Sequence, residues 1–406
     1  MRRSRIHSVL GIAAILVCSI GFTTTPAFNE EVSAVLLTEQ KVFKAGSEIG
    51  LDFKLSKKVK TELFLHGSYG STLLYADNGS FSLPSFMTKK RGRIDFSLYH
   101  QKKVLHQGFI SIISNTESRV QLESYVGPPS SIAGGEDYTM QVVIATDIHD
   151  NPLPDSTTIY MKQQFQELEK ETVIASKDLI GWVNLFSYDS AGRVLLASKV
   201  GPTTSKEFTV DIYPSLGVDF TIQSSRRHQY ADGNQLTEFT TSEIKDRYGN
   251  TISDGTLVEF AIMDKKGSVL HTQGSTIKGV ATAKMLHPDH PETWHVKAYI
   301  QGIAESNTLE LTYKSVLDDF EVAVDAKNRK VIIGPILSFM EQRIPDGATV
   351  VLNIFQKDTL LARKTKSSLN GMVIFDLKNG NYPAGNYTIQ LEALGVQKTP
   401  INIVLP

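Results

Sequence analysis

The sequence predicts an all-β chain of tandem β-sandwiches in an elongated array, and three observations carry that expectation. Nearly everything after residue 35 alternates apolar and polar residues, as in RIDFSL (93–98), WHVKAYI (294–300), FEVAV (320–324) and YTIQLEA (387–393). A strand with one face in a core requires this period of two. Gly, Asn, Asp and Pro clusters interrupt the runs roughly every eight to twelve residues, the spacing of sandwich strands. The same elements then recur along the chain at an interval close to one sandwich domain.

At the N-terminus, Arg2, Arg3 and Arg5 precede the apolar run VLGIAAILVCSI (9–20), which is followed by TTTPA. The run is too short to span a bilayer and reads as a secretory signal peptide, residues 1–27, cleaved after Ala27 with Thr25 satisfying the small-residue rule. Cys18, the only cysteine, lies inside it. It is expected to be an apolar leader residue; lipidation at Cys18 would want Gly, Ala or Ser before it, and Val17 stands there. The mature chain thus has no disulfide, cysteine nucleophile or cysteine-ligated metal. No later run approaches the roughly eighteen apolar residues of a membrane-spanning helix, so an exported protein without a transmembrane segment is expected. Without the three leader arginines, 39 basic residues face 43 acidic ones, a net charge of about −4. That balance argues against a nucleic-acid partner, which calls for a basic field.

The repeats set the organisation. DRYGNTISDGTLVEF (246–260) has a double 99 residues earlier, DIHDNPLPDSTTIYM (147–161). Asp147, Asn151 and Asp155 match Asp246, Asn250 and Asp254. Each copy follows an Ala-x-Gly element and precedes a second anchor, at Gly181 in one and Gly279 in the other. A third copy, PDGATVVLNIF (345–355), retains Asp346 and Gly371 but has Ser338 and Gln342 where Asp246 and Asn250 would fall. VFKAGSEIGLDF (42–53) and KKRGRIDFSL (89–98) join the N-terminal section to the series. The expected domains are 28–115, 116–213, 214–316 and 317–406, linked at SNTES (114–118), IYPS (212–215) and KSVLDD (314–319). Linkers so short imply a stiff rod. One segment, MKQQFQELEKE (161–171), is rich in helix formers and is expected to be a loop or a single helix between strands.

The second and third units resemble bacterial Ig-like domains of the invasin/intimin (Big-1) type. The resemblance lies in ADGNQLTEFTTSEIKDRYGNTISDGTLVEF (231–260), STIKGVATAKM (275–285) and WHVKA (294–298). The second unit departs from it at Asp150, where the pattern has Gly before Asn151, and at Ser156, the counterpart of Gly255. The first unit resembles a macroglobulin-type Ig-like domain through TEQKVFKAGSEIGLDF (38–53), without the cysteine of a thioester. The last unit is Ig-like in pattern through PAGNYTIQLEALGVQK (383–398). It is also similar to C-terminal sorting domains of Bacteroidetes secreted proteins, whose usual basic end is replaced here by INIVLP. The resemblance implies an Ig-like fold throughout and adhesive, spacer or assembly roles, since fold alone does not fix function.

Four groups invite a chemical reading. Each Asp/Asn loop offers two or three oxygens spaced by four, short of the six to eight that calcium takes, and such residues shape turns by bonding their own backbone. HPDHPETWH (287–295) brings together His287, His290, His295, Asp289 and Glu292 without a zinc spacing motif, and reads as a surface loop with His295 pointing to solvent. HGSYGSTLLY (66–75) holds His66, Ser68 and Ser71 but no nucleophile elbow, and reads as a hairpin or bulge. KKRGR contributes Lys89, Lys90, Arg91 and Arg93, with Lys57, Lys58, Lys60, Lys102 and Lys103 nearby in sequence; this is the candidate binding patch for an anionic glycan or membrane surface, against the plainer reading of a solvated edge. No nucleophile–base pair or cofactor loop stands out, so no enzyme, cofactor or metal is expected. The expectation is a non-enzymatic protein of the periplasm, cell surface or exterior whose modules bind or space protein or glycan partners. The alternative is a periplasmic assembly factor or accessory subunit that handles another envelope protein by strand addition. Ligand identity and oligomeric state are open in the sequence.

Overall fold

The computed structural model describes residues 31–378 and 381–406; the expected leader, its expected cleavage site and Cys18 lie outside them. The alternating runs form strands throughout. Glu292–Ile300 shows the physics: Trp294, Val296, Ala298 and Ile300 are buried while His295, Lys297 and Tyr299 between them are not. The sequence places an apolar side chain on the core face at every second position, and the strand follows.

Between residues 34 and 113, two sheets face each other. One has the order Val42–Lys44, Lys103–Ile113, Gly92–His100, Thr61–Gly67, Gly70–Ala76; the other joins Ala34–Leu36, Gly50–Leu55 and Ser80–Ser82. Leu51, Phe53, Leu63, Phe96 and Ile110 fill the space between them. From 121 to 213 the arrangement recurs. Gly181–Phe186, Tyr138–Thr146 and Gln121–Gly127 face the sheet Ser130–Ile132, Phe208–Tyr213, Gly192–Val200, Thr158–Phe165, Leu168–Ala175. In both stretches, and again from 222 to 315, a short early strand pairs in parallel with the last long one: Val42–Lys44 with Lys103–Ile113, Ser130–Ile132 with Phe208–Tyr213, and Tyr230–Ala231 with Leu309–Ser315. The other pairings between the described strands are antiparallel, which with the two facing sheets makes these Ig-like sandwiches.

From 222 to 315, the strand Val269–Ile277 pairs with Leu257–Met263 and, at its end, with Val280–Leu286, joining the two sheets along one edge. Phe239, Phe260, Trp294 and Tyr313 form its core. The last section, 316 to 405, packs Val322–Asp325, Lys330–Ile333 and Val373–Asp376 over a sheet built on Thr349–Gln356 and Gly385–Ala393. The fold is an all-β tandem array of Ig-like sandwiches, each core drawn from consecutive residues.

One expectation about secondary structure fails. MKQQFQELEKE is a β-hairpin, Thr158–Phe165 paired with Leu168–Ala175 around a turn at Gln166 with φ of 54°. Met161 and Phe165 are buried while Lys162 and Gln164 face outward, and Lys162 reaches Glu171 at 3.5 Å across the strands. The register with Gly192–Val200 buries Met161 and Phe165, and that packing overrides helix propensity.

Candidate functional site

Three of the motifs that invited separate chemical readings occupy one recurring place, the meeting of successive sandwiches. Asp147 is 0% exposed. Its Oδ1 accepts the N–H groups of His149 (2.8 Å) and Asn151 (3.0 Å), closing the turn; Oδ2 accepts the Asn115 N–H at 2.9 Å from the connecting segment. The Asn151 amide bonds both carboxylate oxygens and also reaches back into the preceding sandwich. There its Oδ1 accepts the Arg91 N–H at 2.7 Å and its Nδ2 donates to the Lys89 carbonyl at 2.8 Å.

The second copy repeats the arrangement, except that the Asn250 amide reaches one carboxylate oxygen of Asp246 and not both. Asp246 accepts the N–H groups of Tyr248 and Asn250 (both 2.9 Å) and the Ser215 N–H of the connection at 2.8 Å. Asn250 accepts the Ala191 N–H at 2.8 Å and donates to the Asp189 carbonyl at 2.7 Å. These loops are therefore turns, and also clips that hold the sandwich before them. Burial opposes ionisation of both aspartates, yet the convergent N–H and amide donors outweigh it and hold both carboxyls below the usual carboxylate range. The third aspartate of each copy does a different job. Asp155, Asp254 and Asp346 each accept an N–H twenty-four residues ahead, from Leu179 (3.0 Å), Lys278 (2.6 Å) and Asn370 (2.6 Å).

KKRGR supplies the other half of the first clip, and its counterpart in the second is DSAGR (189–193), where Asp189 and Ala191 present the same carbonyl and N–H. Lys90 Nζ donates to the His149 carbonyl at 2.6 Å and lies 3.7 Å from Asp150. Arg91 donates to the Pro152 carbonyl at 3.3 Å, and Arg93 pairs with Asp95 at 2.6 Å beneath the Phe109 ring. Lys89 contributes its carbonyl and is exposed. The lysines nearby in sequence lie elsewhere. His100 Nδ1 bonds the Lys60 carbonyl at 2.8 Å at the far end of Gly92–His100, beside Lys102 and Lys103. That strand is roughly 27 Å long.

HPDHPETWH is the same lead-in for Glu292–Ile300, and it meets the last sandwich. A side chain added at Gly395 would lie 2.6 Å from His290 and Pro291. The clip is absent here: Ser338 and Gln342 keep the backbone turn, with Ser338 N–H to the Gln342 carbonyl at 2.7 Å. Phe339 stacks instead on Tyr230, centroids 4.0 Å apart. His287, expected in a surface loop, is buried against Tyr313, with Nδ1 donating to the Tyr230 carbonyl at 2.9 Å. Burial, the largest influence, pushes its imidazole below the usual range. His290 lies between Asp289 and Glu292, and His295 faces Glu310 in solvent at 3.8 Å, so the three histidines do not converge. Among the described residues no group of three or more His, Cys, Asp or Glu is placed to hold a metal ion.

His66 Nδ1 and Ser71 Oγ lie 2.7 Å apart across the hairpin Thr61–Gly67, Gly70–Ala76, as the glycines predicted. The carboxylate facing His66 is Asp95, whose Oδ1 is held by Arg93. With base and orienting acid uncoupled, this is a surface pair and not a nucleophile assembly.

No protein-family model matches the chain, and no curated protein matches it. Among solved structures it is similar to FdeC, described as a broadly conserved adhesin of Escherichia coli (13% identity over 70% of this chain and 96% of that one, TM-score 0.45). It is also similar to invasin, described as a bacterial integrin-binding protein (10% identity, 92% of this chain and 79% of that one, TM-score 0.46), and to InvD of Yersinia pseudotuberculosis (12%, 83% and 97%, TM-score 0.37). Identities this low bear on fold alone. No helix of the described residues is long and apolar enough to cross a membrane.

Proposed function

We propose that the chain is a non-enzymatic, exported envelope or surface protein whose four Ig-like modules, 28–115, 116–213, 214–316 and 317–406, space or bind protein or glycan partners. The observation that supports it is the repeated clip. A chain that uses two Asp–Asn pairs with buried aspartates to fix one sandwich against the next is built to hold its faces at set positions, which an adhesin or scaffold requires. The test is capture of partners from envelope extract on the immobilised chain, repeated with Lys89→Glu and with Asn151→Ala/Asn250→Ala. Partners lost with Lys89→Glu support an anionic glycan or membrane surface as the ligand; partners lost only when the clips are cut support the spacing role. Equal capture by every variant, or complete protection of the protein from protease on intact cells, refutes surface adhesion through these features. A second reading, strand addition to another envelope protein, is favoured by one observation: the edge strand Gly181–Phe186 carries no charged residue.

A further inference from the structure

We infer that the free edge of Gly181–Phe186 takes an extended, alternately apolar segment of a partner polypeptide as an added strand; this rests on the strand-addition reading of the protein's function. The strand ends its sheet, pairing only with Tyr138–Thr146, so alternate N–H and C=O groups along its outer side point away from the sheet. Edge strands are ordinarily protected by charge, proline or a bulge. Here Leu168–Ala175 carries Glu169, Lys170 and Glu171, and Thr359–Ser367 carries Arg363, Lys364 and Lys366. Gly181–Phe186 has none of these devices. Of the described edges at least as long, only Gly70–Ala76 also lacks charge, and there the Lys60 ammonium lies 5.2 Å over the Tyr75 ring.

The outer face of the sheet is apolar as well. Trp182 is 54% and Phe186 57% exposed, with Tyr138 at 41% and Tyr125 at 57% on the adjoining strands. Phe186 stands opposite Tyr138, their rings 5.4 Å apart, and Val142 lies between Trp182 and Tyr125. With 150–250 Å² in each aromatic side chain, the uncovered rings sum to roughly 400 Å². A stable complex between globular surfaces needs about 800 Å² a side. The face is too small for a second copy and fits one strand of six residues, about 20 Å long, whose backbone pairs with the edge and whose outward side chains extend the aromatic surface. Glu123, the one charge on this face, disfavours an acidic segment.

The experiment measures binding of a fluorescent synthetic peptide, YTMQVVIAT, to the full chain by anisotropy. This sequence already pairs antiparallel with the inner side of the same strand. Two further peptides carry N-methyl groups on alternate residues, one set on Thr, Gln, Val and Ala, the other on Met, Val and Ile. An added strand presents one edge only. One methylated set is therefore expected to weaken binding at least tenfold, about one hydrogen bond's worth, while the other binds within about twofold of the parent. Trp182→Ala/Phe186→Ala is expected to weaken the parent peptide about tenfold. Equal effects of both methylated sets, or no binding of the parent peptide at about 1 mM, overturn the inference. So does a dimer in sedimentation that disappears in the double variant, because the occupant is then a second copy. Peptide binding that passes these tests, with every envelope partner still captured by the double variant, keeps the site and removes the assembly role.

Discussion

Replacing Asn250 by alanine cuts one clip and leaves its turn standing. The side chain makes two bonds to the preceding sandwich, with the Ala191 N–H and the Asp189 carbonyl, and one to Asp246. The turn itself is held by the Asp246 carboxylate on backbone N–H groups, and by the Asp246 N–H to the Asn250 carbonyl at 2.8 Å, none of which needs the amide. At about 0.5–1.5 kcal/mol for each bond, the two lost contacts weaken docking of the sandwiches by about 1–3 kcal/mol. That shifts the balance of closed to open joints roughly 5- to 150-fold. The chain's single cysteine, Cys18, lies outside the described residues, so spin labels at Lys170→Cys and Lys266→Cys, both exposed, on a Cys18→Ser background report the joint by pulsed dipolar spectroscopy. The expected result is a broadened distance distribution in Asn250→Ala with thermal unfolding nearly unchanged. Labels across the third joint in Gln342→Ala, the matched position whose carbonyl alone is engaged, should show no change. A distribution as narrow as the parent's, or a large drop in melting temperature, refutes the clip as the element that fixes the joint.

Acid should open the same joints. Asp147 and Asp246 are held below the ordinary 3.8, so their contribution is full above that value and is lost as pH falls through their lower folded values; label distances should stay constant from pH 7 to about 4 and broaden below. His287, held below 6.5, gives stability that is full above pH 6.5 and falls on acidification; melting curves between pH 5 and 8 should show this slope, and His287→Gln should flatten it. Gln141 is 0% exposed, and neither its Oε1 nor its Nε2 meets a protein partner, so Gln141→Leu should raise unfolding stability by about 1–3 kcal/mol in urea titration; a loss would show that a buried water satisfies the amide. Ser156 and Gly255 are counterparts with φ of 68° and 84°, and opposite swaps should act with opposite sign: Ser156→Gly stabilising by up to about 1 kcal/mol, Gly255→Ser destabilising by about 1–2.

The alternation in WHVKAYI and YTIQLEA made the strands legible, because a period of two is a local property that burial then realises. The 99-residue recurrence made the series legible for the same reason: Asp246 and Asn250 had to be doubled for the loop to count as architecture. What the amide of Asn250 does was not legible. Its partners, the Asp189 carbonyl and the Ala191 N–H, are backbone groups, and backbone groups leave no mark in residue identity. KKRGR shows the consequence. Its charges are what the sequence displays, yet the atoms that Asn151 engages are the Lys89 carbonyl and the Arg91 N–H, which DSAGR supplies equally well without a lysine. The hairpin at 161–171 failed for a related reason, since the pairing of Met161 with Ser198 is decided thirty-seven residues away. A signal was nonetheless present. Asn occurs at both positions, 151 and 250, that touch a preceding sandwich, and Gln342 replaces it where Tyr230 and Phe339 do the holding. A short side chain with a carbonyl acceptor and an NH2 donor matches a carbonyl and an N–H two residues apart and still donates to its aspartate; the longer Gln342 lies where Phe339 makes the contact. The decay of the third copy therefore follows the change in its joint, where ring stacking of Phe339 on Tyr230 stands in place of the amide clip.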